Sequence, residues 1–142
     1  PIFCAGITVW DALERAELKN GETIAIIGLG GLGAMAAKYA RQLGARVIAL
    51  DVRDEQLLAV KDEGSADEII NTTGLSTQEL QMRVAMVNGG ALVQKAIVAS
   101  GASQAYDTSL AITGAEATVV AVGLAPLPVG INITEFALKC TR

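Results

Sequence analysis

The chain has no histidine, only two cysteines and three prolines, and aromatic residues make up just 4% of it. Charged residues occupy 18% of its 142 positions, with 15 acids against 11 bases. The resulting net charge of −4 and pI near 4.8 argue against a nucleic-acid partner, which demands a basic face. No apolar stretch reaches the ~18 residues that suggest a membrane span. The longest, around 24–37 and 117–131, are broken by glycine or proline. No basic segment leads into an apolar one at the start, so no signal peptide is expected. Cys4 and Cys140 lie near opposite ends and make no disulfide framework, which leaves a reducing, cytoplasmic setting as the expectation. The opening at Pro1 rather than methionine suggests a piece of something longer.

What is present is apolar: 51% of the residues, together with 15 glycines. That balance excludes disorder and is enough for one domain with its own core. Five short runs rich in β-branched residues recur at intervals of 22 to 28 residues: Thr23–Gly28, Arg46–Asp51, Glu68–Asn71, Ala96–Ser100 and Thr118–Gly123. Their apolar residues do not alternate with polar ones, so both faces of the sheet are expected to be covered, as in parallel sheets. Helical patterns fill the gaps. Leu32, Met35, Ala36, Tyr39 and Leu43 mark one face. Ser76 and Glu79 have capping-box spacing, followed by Leu80, Val84 and Val87. Asp54 and Ser103 are candidate caps of two further helices. Thr8–Glu17 reads as a helix closed by Asn20-Gly21, with Trp10 and Leu13 in the core. Asn132 with Glu135 suggests a last helix.

Strands alternating with helices at this interval describe a doubly wound α/β domain. The longer gap before the fourth strand suits a crossover back past the first, giving the order 3-2-1-4-5. No sixth strand follows the fifth, so an open edge is expected there. Lys95, just before the fourth strand, has no functional account from the sequence.

The strongest local signal is "IAIIGLGGLGAMAAKYA". Gly28, Gly30 and Gly33 satisfy G-x-G-x-x-G where a strand ends and a helix begins. Gly28 permits the tight turn, Gly30 lets the backbone approach a pyrophosphate, and Gly33 brings the helix close to the sheet. The helix N-terminus would face the phosphates with unpaired N–H groups. Asp51 closes the second strand, where a carboxylate can bind ribose hydroxyls and repel a 2′-phosphate. That favours NAD over NADP, although nearby Arg53 could accommodate such a phosphate. A nucleotide-sugar or S-adenosylmethionine site stays open, though methyltransferase loops usually run G-x-G-x-G. The short-chain dehydrogenase pattern fails, because neither Tyr39 nor Tyr106 has a lysine four residues later.

Read in order, "CAGITVWDAL", "IIGLGGLGAMAAKYARQLGARVIALD" and "TVVAVGL" resemble the coenzyme-binding half of zinc-type medium-chain alcohol dehydrogenases, over essentially the whole chain. The resemblance implies a Rossmann fold over 21–142, incomplete at its C-terminus, and a helical segment over 1–20 joining it to an absent catalytic domain. It implies that Cys4 is a ligand of the catalytic zinc and that Thr8 lies against the nicotinamide. Gly28, Gly30, Gly31, Leu32 and Gly33 match the pyrophosphate loop, and Asp51, with Arg53 beside it, the ribose site. Ala99, Ser100 and Gly101, like Gly123 and Leu124, match backbone bordering the nicotinamide. Where family members often place a lysine five residues after the ribose acid, this chain has Gln56, which should weaken adenosine binding modestly.

The implied function is oxidation of an alcohol to an aldehyde or ketone by hydride transfer to NAD. Zinc is implied in the intact enzyme only, since a catalytic zinc needs three protein ligands and this chain offers Cys4 without any histidine. Cys140 matches no family ligand. The isolated chain is expected to be inactive. The implied partners are NAD(H) and a small alcohol or carbonyl compound, with no nucleic acid or membrane, and with a homo-oligomer of the intact enzyme left open. A zinc-free quinone or enoyl reductase using NADPH is the alternative, although such relatives usually lack both the cysteine and the acid. A non-catalytic dinucleotide-binding module is the third reading.

Overall fold

The apolar runs become five parallel strands in the computed structural model, which describes residues 2–126, 128–131 and 133–139. They are β1 (Thr23–Ile27), β2 (Arg46–Asp51), β3 (Glu68–Asn71), β4 (Val93–Val98) and β5 (Thr113–Ala121). The sheet order is β3-β2-β1-β4-β5, as the spacing predicts, with β5 at one edge. Ile26 pairs with Ala49 on one side and Ile97 on the other.

Side chains of β1 alternate between two cores. Ile24 and Ile26 join Val47 and Ala49 beneath α1 (Ile7–Arg15), α2 (Gly31–Gln42) and α3 (Asp54–Asp62). Ala25 and Ile27 join Ile48 and Leu50 beneath α4 (Thr77–Val87) and α5 (Ser103–Ile112). Both faces are therefore dry, which explains why the strands read as continuous apolar runs. Each isoleucine that is fully buried here stabilises the fold by roughly 1.5–3 kcal/mol relative to an exposed one. The result is a Rossmann-type α/β fold. Among the described residues, no helix is long and apolar enough to cross a membrane.

Several boundaries differ from the sequence pattern, each for a local reason. α1 follows a π-helical turn over Ile2–Gly6 and stops at Arg15. Its end is a Schellman motif in which Glu17, not a glycine, takes the left-handed conformation (φ 50°). The Leu18 N–H reaches the Leu13 carbonyl and the Glu17 N–H that of Glu14. Asn20-Gly21 forms the next turn instead of closing the helix. Lys95 fixes this corner by donating to the Glu17 carbonyl and, at 2.5 Å, to the Glu22 carboxylate, so its role is structural. Burial works to raise the Glu22 pKa, but the hydrogen bonds from Lys95 and the Lys19 N–H outweigh it, and the net shift is downward.

The fourth strand starts at Val93 and ends at Val98, and the fifth starts at Thr113, directly after α5. The pairing jumps from Val93↔Thr113 to Lys95↔Thr118, and Glu116 (φ 60°) absorbs the extra residues. The stretch "TGAEA" therefore carries no strand signature. Asp54 does not cap α3. It occupies the first helical position and accepts from the Asn71 side chain at 2.6 Å, where its charge suits the helix dipole. Ser103 does not cap α5 either, since Ala102 holds that position. Ser76 and Glu79 do form a reciprocal capping box. Trp10 is 48% exposed, whereas Leu13 is buried, because α1 turns only one face to the sheet. The last helix, α6, spans Ile133–Lys139, and the proposed cap Asn132 and Cys140 lie outside the described residues.

Candidate functional site at the carboxyl rim of the sheet

The order of the strands reverses between β1 and β4, and in such sheets ligands bind outside the carboxyl ends at that point. The glycine turn sits there. Gly28 has φ 88°, and a Cβ on it would lie 2.6 Å from the Ser100 Cβ. On Gly33 a Cβ would lie 1.8 Å from the Gly28 carbonyl oxygen, so α2 rests directly on the turn. Gly30 and Gly31 are different, because nothing lies within 4 Å of where their Cβ atoms would be. They open α2, which has no side-chain cap and no acid in its first turn. Its leading N–H groups form a positive end beside open space. Leu32, next to them, packs on the core.

Asp51 ends β2 beside this turn and is 8% exposed. Its Oδ2 accepts the Leu29 N–H at 2.6 Å, and its Oδ1 accepts the Arg53 N–H at 2.9 Å and Nε at 3.5 Å. The carboxylate thus ties the glycine turn to the exit of β2. A cavity of about 290 Å³ opens against it, lined by Gly28, Asp51, Val52, Ser100, Gln104 and Thr108 among others. A second, of about 450 Å³, shares Val52, Thr72, Gln104 and Thr108 with the first. Gln104 and Thr108 went unnoticed in the sequence; their only signal is a polar pair four residues apart on one face of α5.

On the other side of the turn, the exits of β4 and β5 meet. The Val98 carbonyl accepts the N–H groups of both Val122 and Gly123 at 2.9 Å. A Cβ on Gly123 would lie 2.2 Å from the Ser100 carbonyl oxygen, and one on Gly101 would lie 2.8 Å from that of Leu124. Gly28, Asp51, Ser100, Gly101, Gly123 and Leu124 are thereby gathered on one rim.

Cys4 and Thr8 belong to the N-terminal helical segment. The Thr8 hydroxyl donates to the Cys4 carbonyl at 2.8 Å, and the Cys4 thiol is free and exposed. Phe3, Ile7 and Trp10 of this segment line an apolar concavity of about 530 Å³ with Tyr39 of α2 and Leu43 just after it. Among the described residues, no three His, Cys, Asp or Glu side chains gather to hold a metal ion. These residues alone do not fit a catalytic zinc.

The comparisons agree with this geometry. Residues 31–142 match the family model for zinc-binding dehydrogenases. An alcohol dehydrogenase from Geobacillus stearothermophilus is 35% identical over 98% of this chain and 40% of its own length. Galactitol-1-phosphate dehydrogenase from Escherichia coli superimposes with a TM-score of 0.83 at 25% identity, over 98% of this chain and 40% of that one. Mycobacterial Rv1454c, solved in complex with NADPH, gives 0.83 at 27% identity over 96% and 42%. The chain thus spans about two fifths of the length of these relatives. With its strand order, its glycine turn and this match over most of its residues, the chain belongs to the zinc-binding dehydrogenase family.

Proposed function

We propose that this chain is the NAD(H)-binding part of a zinc-dependent alcohol dehydrogenase that oxidises an alcohol to an aldehyde or ketone. The observation that carries the reading is Asp51, a largely buried carboxylate beside an uncapped helix N-terminus, at the wall of a cavity. The bound nicotinamide would supply the hydride acceptor. Asp51 would take the adenosine ribose hydroxyls, Gly30 and Gly31 would admit the pyrophosphate, and the cavity under Val52 and Thr108 would take the base. Thr8 and the backbone of Ser100, Gly101, Gly123 and Leu124 would border the nicotinamide.

Cys4 would serve zinc as one ligand only, together with others from outside these 142 residues. The segment 1–20 would join the catalytic domain, and its apolar face at Phe3, Ile7 and Trp10 would lie against it. A reducing cytoplasm suits the exposed Cys4 thiol.

A fluorescence titration with NADH and, in parallel, NADPH tests the cofactor. Saturable NADH binding tighter than NADPH, and weakened at least tenfold in Asp51→Asn, is expected. Equal or tighter NADPH binding would move the chain to the second reading, a quinone reductase relative. That reading is favoured by the NADPH-bound mycobacterial neighbour and by Arg53, whose half-exposed side chain stands beside Asp51.

A further inference from the structure

The exits of β1, β4 and β5 touch backbone to backbone, so peptide groups rather than side chains set the shape of the rim there. Among the described residues, the ladder holds the β5 exit as far as the Gly123 N–H. Beyond it the chain leaves the sheet, and Leu124 is 92% exposed, so its own side chain does not anchor the next peptide. Tyr106 does. From α5 its hydroxyl donates to the Gly123 carbonyl oxygen, while its ring packs on the core between α5 and the sheet. This oxygen belongs to the peptide joining Gly123 to Leu124, whose own carbonyl crowds Gly101 on the β4 exit. One hydroxyl therefore holds the peptide between the two residues through which the β5 exit meets the β4 exit.

A dinucleotide lies across the crevice where the strand order reverses. With the adenosine half on the β2 side at Asp51, the second half falls on the β4 and β5 side. Resting on the cofactor reading above, we propose that Tyr106 is a positioning residue for the nicotinamide half. Its hydroxyl holds the Gly123–Leu124 peptide in one orientation, so the β5 exit meets the ring as a preformed edge. Without the hydroxyl the peptide can rotate, and ligand binding must order it at a cost in affinity.

Tyr106→Phe keeps the ring and removes only the donor. The test compares binding of NADH, followed by nicotinamide fluorescence and anisotropy, with calorimetric binding of AMP, which fills the adenosine half alone. AMP affinity should stay within about twofold, while NADH binding weakens about three- to tenfold, the range expected for one lost hydrogen bond, and the anisotropy of bound nicotinamide falls. Unchanged NADH affinity and anisotropy in the variant, or equal losses for NADH and AMP, would overturn the proposal alone. Failure of the unaltered chain to bind either ligand would overturn the cofactor reading, and this proposal with it.

Discussion

Helices α2 and α4 both begin at the carboxyl rim of the sheet, yet their first turns are built differently. α4 opens on Ser76, whose hydroxyl accepts the Glu79 N–H at 3.3 Å while the Glu79 carboxylate accepts the Ser76 N–H at 2.8 Å. Two of its leading donors, the Ser76 and Glu79 N–H groups, are thus met from within, and a negative charge sits on the positive end of the helix. α2 opens on Gly30 with neither a side-chain cap nor an acid. A helix needing stability alone gains from the first arrangement. The second leaves donors for something else, and it stands beside Asp51 and the cavity. One rim therefore holds a closed helix end at α4 and open ones at α2 and α5, of which the α2 end stands beside Asp51.

Gly33→Ala breaks the open end most severely. The new Cβ would meet the Gly28 carbonyl oxygen at 1.8 Å, and that neighbour is backbone, which cannot swing aside. The helix must lift off the turn, at an expected cost of about 3 kcal/mol read by thermal or urea denaturation. Gly30→Asp sharpens the same comparison. Its Cβ meets open space, and the backbone there (φ −66°, ψ −166°) suits an N-cap. The carboxylate would give α2 the cap that α4 already has, so stability should hold or rise by a few tenths of a kcal/mol. NADH binding should fall roughly a hundredfold, because the new charge occupies the phosphate position. A variant that binds NADH normally would show that this end is not where the pyrophosphate lies.

The glycine turn and Asp51 were legible in the sequence because a strand, a tight turn and a helix fix their spacing covalently. The parallel sheet was legible because both faces of its central strands are dry, and its order because the longer gap before the fourth strand leaves room for the crossover back past the first. Gln104 and Thr108 were not, because only the crossover to α5 brings them opposite Val52. Tyr106 figured in the sequence only as a tyrosine without a partner lysine; its hydrogen bond spans 17 residues and depends on where β5 ends. Trp10 shows the limit of periodicity. An apolar helix face reads the same whether the sheet covers it or, as here, leaves it half exposed.

Ser76→Ala acts on the closed end and has the smallest effect. Loss of the cap should cost about 1 kcal/mol, with NADH binding unchanged, since α4 has no part in the proposed phosphate site. The effect should also depend on pH. The Ser76 hydroxyl and N–H both hydrogen-bond the Glu79 carboxylate and hold its pKa below the usual glutamate range. A carboxyl depressed in the folded state contributes stability that is fully present above its unfolded pKa and lost as pH falls through the folded one. Melting curves of the unaltered chain should therefore fall in that acid window, on top of any general acid effect. In Ser76→Ala the hydroxyl is gone but the backbone N–H remains, so the drop should shrink without vanishing. An identical acid profile in both proteins would mean that the N–H alone sustains the charge, and that the hydroxyl matters only as acceptor for the Glu79 N–H.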